Sequence, residues 1–402
     1  MLSLSSRTSL QLLCRVLSED RATRATAVAE LSDGNSAETV VALAKAESIL
    51  PALYEAISGF PGCLPKSERI ALAIAYEANR RRNRQIRAAI YEIAGASDRH
   101  SIAVVALKGA RWIVEDAAGC AAWRSMIDID LLVRVEDYEP MRGILKQIGY
   151  RSMRRERNLF GQMRFAGHYH QVALRRDDQP FATEVHRHVQ WRPALLPTEA
   201  IFASSRPVAL GLRLPCPWHA ALHAIIHWQI HHYGYLLGFH RIRDGLDIAR
   251  FLCGDDVDWS ALADHAARVG IVREVEDALA TVTDLFSIPP PPGFRVSARA
   301  RQHVAKSLQL QDSRVLRWQA KQRQRVDRLW YDYRFIYRSG LRKTDPAVTL
   351  AGLWALRVRR LPFLISHLAS IAVLGILAKL QSAFPSRLKP RQRSASSRIL
   401  RR

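Results

Sequence analysis

Asp128 and Asp130 stand two residues apart in the segment 127–135, IDIDLLVRV. In an extended chain, side chains two apart leave the same face, roughly 6–7 Å apart along the strand. Two carboxylates so placed suit a hard divalent cation such as Mg²⁺ or Mn²⁺, which takes oxygen ligands from protein and substrate phosphates. Metal-assisted phosphoryl or nucleotidyl transfer needs such a pair. One ion activates the attacking hydroxyl, and another orients the triphosphate and stabilises charge on the leaving group. A third carboxylate from a neighbouring strand would complete the cage. Glu184 is the natural candidate, alternating with His186 and His188 on one face of 181–191, FATEVHRHVQW. An Asp-x-Asp on a solvent-facing strand edge would do none of this chemistry. Here the flanking Ile127, Ile129 and Leu131 point to a half-buried strand, where unpaired acids are costly.

Two further features surround the pair. The apolar run 102–107, IAVVAL, ends at Lys108-Gly109, as a buried strand entering a turn would. A glycine there lets the backbone approach a phosphate and exposes amide donors at the start of a following helix. An ordinary strand-to-helix turn would use a glycine equally well. Arg124, four residues before Asp128, is placed either to neutralise a phosphate or to pair with an acid of the helix at 111–117.

The elements that must position these residues follow from periodicity. Residues 1–95 carry apolar residues at three- and four-residue intervals and read as a helical region, with an amphipathic helix rather than a signal peptide at 1–17. Residues 96–195 hold the strands: 102–107, 127–135, 168–175 and 181–191, with a helix at 137–148 and a turn at 176–180. Helical texture returns over 196–290 and stops at the proline run 289–292. The expected fold class is α+β, a small mixed sheet flanked by N-terminal and C-terminal helical regions. A length of 402 residues makes two or three units the better expectation than one.

The ordered set ALKGA (106–110), Arg124, DIDLLV (128–133), Asp137, a helix ending Gly149-Tyr150, and EVH (184–186) resembles a largely uncharacterised family of bacterial nucleotidyltransferases of the polymerase-beta-like superfamily. The likeness extends through the His-rich helix and RIRDGLDIARFL, over roughly 10–290. It implies that Asp128, Asp130 and Glu184 hold Mg²⁺ or Mn²⁺. It also implies that Lys108 and Gly109 lie near the phosphates of a nucleoside triphosphate; Arg124, and His186 on the face of Glu184, are further candidates for nucleotide binding. The implied reaction moves a nucleoside monophosphate from the triphosphate to a hydroxyl acceptor. Ala110 follows Gly109 where the superfamily's turn usually reads Gly-Gly or Gly-Ser, so a serine contact to phosphate is lacking. An inactive nucleotide-binding or membrane-associated accessory protein is the alternative.

His219, His223, His227 and His231 recur every four residues, one stripe along a helix. With His168 and His170, and with His186 and His188, they raise the competing reading of a zinc hydrolase. No H-E-x-x-H is present, and Trp218, Trp228 and Tyr233 beside the stripe favour a packed helix that lines substrate. The five cysteines, Cys14, Cys63, Cys120, Cys216 and Cys253, share no paired spacing. That excludes a disulfide framework or Cys-based zinc site and fits a reducing cytoplasm.

The net charge of +23 is concentrated at one end. Residues 291–402 hold 25 Lys and Arg against four acids, leaving 35 against 33 in the first 290 residues. Such a tail seeks phosphate, of lipid headgroups or of nucleic acid. Within it, the 18 residues 361–378 are apolar between basic flanks. They fit a helix lying on a membrane, spanning it, or docked on the protein's own body. Basic residues at both ends favour the surface placement, with 346–402 meeting an anionic inner-membrane face. Nucleic acid is the weaker partner, because no recognisable binding motif accompanies the charge.

Overall fold

Short apolar runs become strands in this chain, and the longer amphipathic stretches rich in Ala and Leu become helices. The computed structural model describes residues 6–312, apart from 33–35, 117, 154–172, 191, 239–240 and 255. Helices α1 (Ser6–Val16), α2 (Arg21–Ser32), α3 (Ala37–Ala46) and α4 (Leu50–Ile57) precede α5 (Lys66–Asp98). At 33 residues, α5 is about 50 Å long. The strand-rich part follows as β1 (Val104–Ala106), α6 (Lys108–Glu115), β2 (Asp128–Leu132), α7 (Tyr138–Gln147), β3 (Arg151–Ser152), β4 (Leu174–Arg175) and β5 (Ala182–His186). Then come α8 (Thr198–Ser204), β6 (Arg206–Ala209), β7 (Leu212–Leu214), α9 (Pro217–Ile226), a π turn (His227–His231) and α10 (Gly234–Leu237). The described chain ends with α11 (Ile242–Cys253), α12 (Trp259–Val269), α13 (Val272–Phe286) and α14 (Ala298–Asp312). The fold is α+β, as expected, with the sheet flanked by helices on both sides of the sequence.

The described strands form one mixed sheet in the order β3-β4-β5-β2-β1-β7-β6. β2 lies at its centre, antiparallel to β1 and parallel to β5. The register with β5 sets Asp128 opposite Ala182, Asp130 opposite Glu184 and Leu132 opposite His186. Ile129, Leu131 and Val185 point into the core and are wholly buried, so the acids are left on the opposite face. Ile127 differs from expectation: it precedes the strand and is 70% exposed.

The sheet does not stop at residue 195. The hairpin 206–214 joins it, β7 pairing parallel with β1 at Val104–Leu212 and Val105–Arg213. Leu210 and Gly211, at φ 45° and 70°, make the tight turn that two-residue hairpins favour. A four-residue strand that contains Pro207 and a three-residue strand carry too little periodicity to be read from sequence. The proline run is likewise crossed by packing. Beyond it, α14 lies on α13 and buries Ala300, Val304 and Leu308.

Of the strand expected at 168–175, Leu174–Arg175 is present and 168–172 lie outside the described residues. The basic tail and its apolar run 361–378 also lie outside them. Among the described residues, no helix is long and apolar enough to cross a membrane.

Candidate active site

Four devices place the side chains of the cleft. The first is the pairing of β2 with β5, which sets Asp130 and Glu184 side by side. The second is the turn from β1 into α6. Leu107 N–H donates to Asp130 O at 3.0 Å, and Lys108 follows with a left-handed φ of 47°. A lysine seldom adopts that backbone conformation, and such outliers gather at functional sites. Lys108 Nζ donates to Asp130 Oδ1 at 2.9 Å.

The third device is α5. Asn79 and Asn83, one helical turn apart and buried, donate through Nδ2 to the carbonyls of Ala122 and Arg124, and of Cys120, Ala121 and Arg124. These bonds hold the loop before β2, where Cys120 and Ala121 both have positive φ. Sequence reasoning missed them. The only signal was a pair of poor helix formers at i, i+4 inside a helix rich in arginine.

The fourth is Arg124. Its Nε and Nη2 donate to Asp247 Oδ1 and Oδ2 at 2.8 and 2.7 Å, and its Nη1 donates to the Ser125 carbonyl. The partner acid is on α11 rather than on the 111–117 helix. Burial alone would lower the Arg124 pKa, but Asp247 outweighs it and holds the guanidinium charged.

Gly109 is explained by packing. A Cβ there would lie 2.6 Å from Met126 Sδ and 2.8 Å from Met126 Cγ, and Met126 is itself buried. Gly109→Ala should therefore cost about 1–2 kcal/mol in the native protein, in the range of overpacking changes. In a Met126→Ala background the same substitution should cost nothing further. A double-mutant cycle of thermal melts checks this, and additive costs would contradict the contact.

Lys108, Asp128, Asp130, Glu184, His223, His227, His231 and His232 line one cleft of about 290 Å³. Asp130 is buried, and His186 Nε2 lies 2.7 Å from the same Oδ1 that Lys108 contacts. Burial pushes the Asp130 carboxyl up, yet Lys108 and His186 outweigh it and hold it well below the usual range. Asp128, partly exposed, is raised by burial and by Asp130. Glu184 is raised to about 7 by burial and by the charges of Asp130 and Asp128. Donor atoms of Asp130, Glu184 and His186 lie within 4.8 Å of one another, a spacing that a metal ion can bridge. The structure thus gathers Asp128, Asp130 and Glu184 into one cleft, while Asp137 lies elsewhere. His186 joins Asp130 and Glu184 in the tightest trio, while Asp128 stands one strand position pair earlier on the same face.

Arg241, just before α11, and Arg243, in its first turn, complete the cleft, and the sequence had not singled them out. Arg241 Nε lies 3.3 Å from Asp244 Oδ2. Arg243 is half-buried and held by no hydrogen bond or ion pair among the described residues. Burial, then Arg124 and Arg241, lower its pKa against the opposing pull of Asp244 and Asp247. The histidine stripe divides. His219 and His223 are buried, with pKa values lowered by burial to about 4 and about 3, and Ser204 Oγ lies 2.8 Å from His219 Nδ1. His227 and His231 remain partly open to the cleft.

No curated protein and no solved structure matches the chain. A family model described as uncharacterised nucleotidyltransferase matches residues 33–287. That span contains the whole sheet and every cleft residue named above. With well over half its length inside the match, the chain belongs to the uncharacterised nucleotidyltransferase family.

Proposed function

We propose that this protein is a metal-dependent nucleotidyltransferase that moves a nucleoside monophosphate from a triphosphate to a hydroxyl acceptor. The observation that carries the reading is the convergence of Asp128, Asp130 and Glu184 on paired central strands, facing a cleft that is also lined by Lys108, Arg124, Arg241 and Arg243. A carboxylate cluster with one acid pushed to about 7 is held under repulsion, and a divalent cation relieves it. Asp128, Asp130 and Glu184 would hold Mg²⁺ or Mn²⁺. When bound, the metal supplies activation of a hydroxyl and neutralisation of phosphate charge.

The rest belongs to the chain's own residues. Arg243, which makes no hydrogen bond or ion pair among the described residues, suits the triphosphate, whose oxygens accept several donors at once. Lys108 is tied to Asp130 in the free protein. It stands where it can turn to a phosphate once the carboxylate has another partner. The first turn of α6, from Lys108 and Gly109, offers backbone N–H donors and a positive helix end to the same group. His186 orients Asp130 through Nε2. Arg124, fixed by Asp247, contributes charge to the cleft wall and rigidity to the approach of β2.

The test is nucleotide binding as a function of metal and pH. Binding of a nucleoside triphosphate should require Mg²⁺ or Mn²⁺. It should weaken roughly tenfold from pH 8 to pH 6, because the proton on Glu184 must leave before its oxygens serve an ion. The groups facing that carboxyl are Lys108, Asp128, Asp130 and His186. Stability in the absence of metal should move the other way. A carboxyl raised from 4.5 to about 7 favours the fold fully below the lower value, and that contribution is lost as pH rises through about 7. Glu184→Gln should flatten both profiles. Metal-independent binding would overturn the reading, whereas binding without pyrophosphate release would favour the non-catalytic alternative.

A further inference from the structure

The π turn after α9 does something that the four-residue spacing of the stripe does not announce. His232 N–H donates to His227 O at 3.0 Å, the five-residue closure of a π-helix. In an α-helix, residues five apart diverge. Here the wider turn sets His227 and His232 beside one another, before Tyr233 turns the chain with a left-handed φ of 57°. Their Nε2 atoms are 3.1 Å apart, with ring centroids 4.4 Å apart and planes at 89°. His231 stacks on His227 at 5.4 Å and 12°. One ring nitrogen from each of the three lies within 4.8 Å of the other two, and all three side chains line the cleft.

We infer that His227, His231 and His232 form a binding site for a divalent transition-metal ion of the zinc class, distinct from the Asp130–Glu184–His186 trio. Three imidazole nitrogens suit Zn²⁺, Co²⁺, Ni²⁺ or Cu²⁺, whereas Mg²⁺ prefers oxygen. Nitrogens 2.0–2.1 Å from a tetrahedral ion sit roughly 3.3 Å apart. The His227–His232 pair already has that spacing, and His231 needs to close by no more than about 1.5 Å. The surroundings fit as well. Asp244 Oδ2 lies 3.6 Å from His227 Nδ1, on the side of the ring away from Nε2. A small rotation closes this to a hydrogen bond. Donation from Nδ1–H to the carboxylate then leaves the Nε2 lone pair for a metal, the usual second partner of a ligating histidine. A simple hydrogen bond between His227 and His232 would account for their 3.1 Å contact but not for the convergence of a third imidazole. Three protein ligands leave a fourth position, open to the cleft, for water or an oxygen of a bound ligand.

The test uses the full chain stripped of metal and titrated with Co²⁺, read by visible absorption. One ion per chain with a tetrahedral spectrum is expected, displaced by Zn²⁺ and not by millimolar Mg²⁺. His231→Ala and His232→Ala should each weaken binding roughly a hundredfold or more, since even outer partners of a ligand cost 10- to 100-fold. Asp244→Asn should weaken it about tenfold. Asp128→Asn combined with Glu184→Gln should leave it intact. Should a histidine variant fail to fold, the native spectrum and Asp244→Asn decide the matter. The inference is overturned by the absence of a tetrahedral Co²⁺ spectrum, by histidine variants that bind like the native chain, or by loss confined to the carboxylate variant.

Discussion

Asp128→Asn and Asp130→Asn are each expected to abolish Mg²⁺-dependent turnover of the triphosphate, while moving stability in opposite directions. Loss of several kcal/mol of stabilisation by the metal corresponds to roughly a thousandfold in rate or more. The contrast in stability comes from the neighbours. Asp128 is partly exposed, and its carboxyl is raised by burial and by Asp130, so removing its charge relieves repulsion. Asp128→Asn should melt at the native temperature or slightly above it. Asp130 is 3% exposed, accepts from Lys108 at 2.9 Å and sits 2.7 Å from His186. Neutralising it weakens two charge-assisted contacts, and a cost of about 1.5–3 kcal/mol follows. Thermal melts beside an assay of pyrophosphate release read both quantities. Retained turnover in either variant would remove the carboxylates from the chemistry. Equal melting temperatures would contradict the asymmetry between them.

The acids themselves were legible in the sequence, and so was the reason for their grouping. Alternation along 127–135 and 181–191 puts Asp128, Asp130 and Glu184 on single strand faces, and a buried strand cannot hold such charges idle. What alternation cannot give is pairing. The parallel register that sets Asp130 beside Glu184 comes from the sheet as a whole. The cations of the cleft were hidden for a similar reason. Arg243, and the Asp247 carboxylate that pairs with Arg124, lie more than a hundred residues beyond β2, in a helix whose pattern reads only as amphipathic. Gly109 was noticed for its place after a strand, but its neighbour Met126 is a contact across a loop that no local pattern predicts. The histidine stripe was seen with an α-helical period. The π turn broke that period and exchanged His219 and His223 for His232.

Arg124 was expected near the nucleotide, and its pairing with Asp247 makes the sharpest prediction about the frame. Both side chains are 7% exposed, and the guanidinium meets the carboxylate through two parallel hydrogen bonds. Arg124→Ala leaves Asp247 charged and buried without a partner, which costs about 3–5 kcal/mol. For a body of this size that is a fall in melting temperature on the order of 10 °C. Arg124→Lys should recover little, since an ammonium cannot reproduce the two-pronged contact. Arg124→Met combined with Asp247→Leu should recover most of the loss, because replacing both ions by apolar groups of similar volume removes the desolvation penalty together with the attraction. That double variant also separates the two roles of the residue. Folded but without the guanidinium, it should bind Mg²⁺–nucleotide more weakly if the Arg124 charge serves the phosphates, and with native affinity if Arg124 only braces β2 against α11. A double variant that melts as low as Arg124→Ala would mean that the pair fixes a geometry which apolar packing cannot replace.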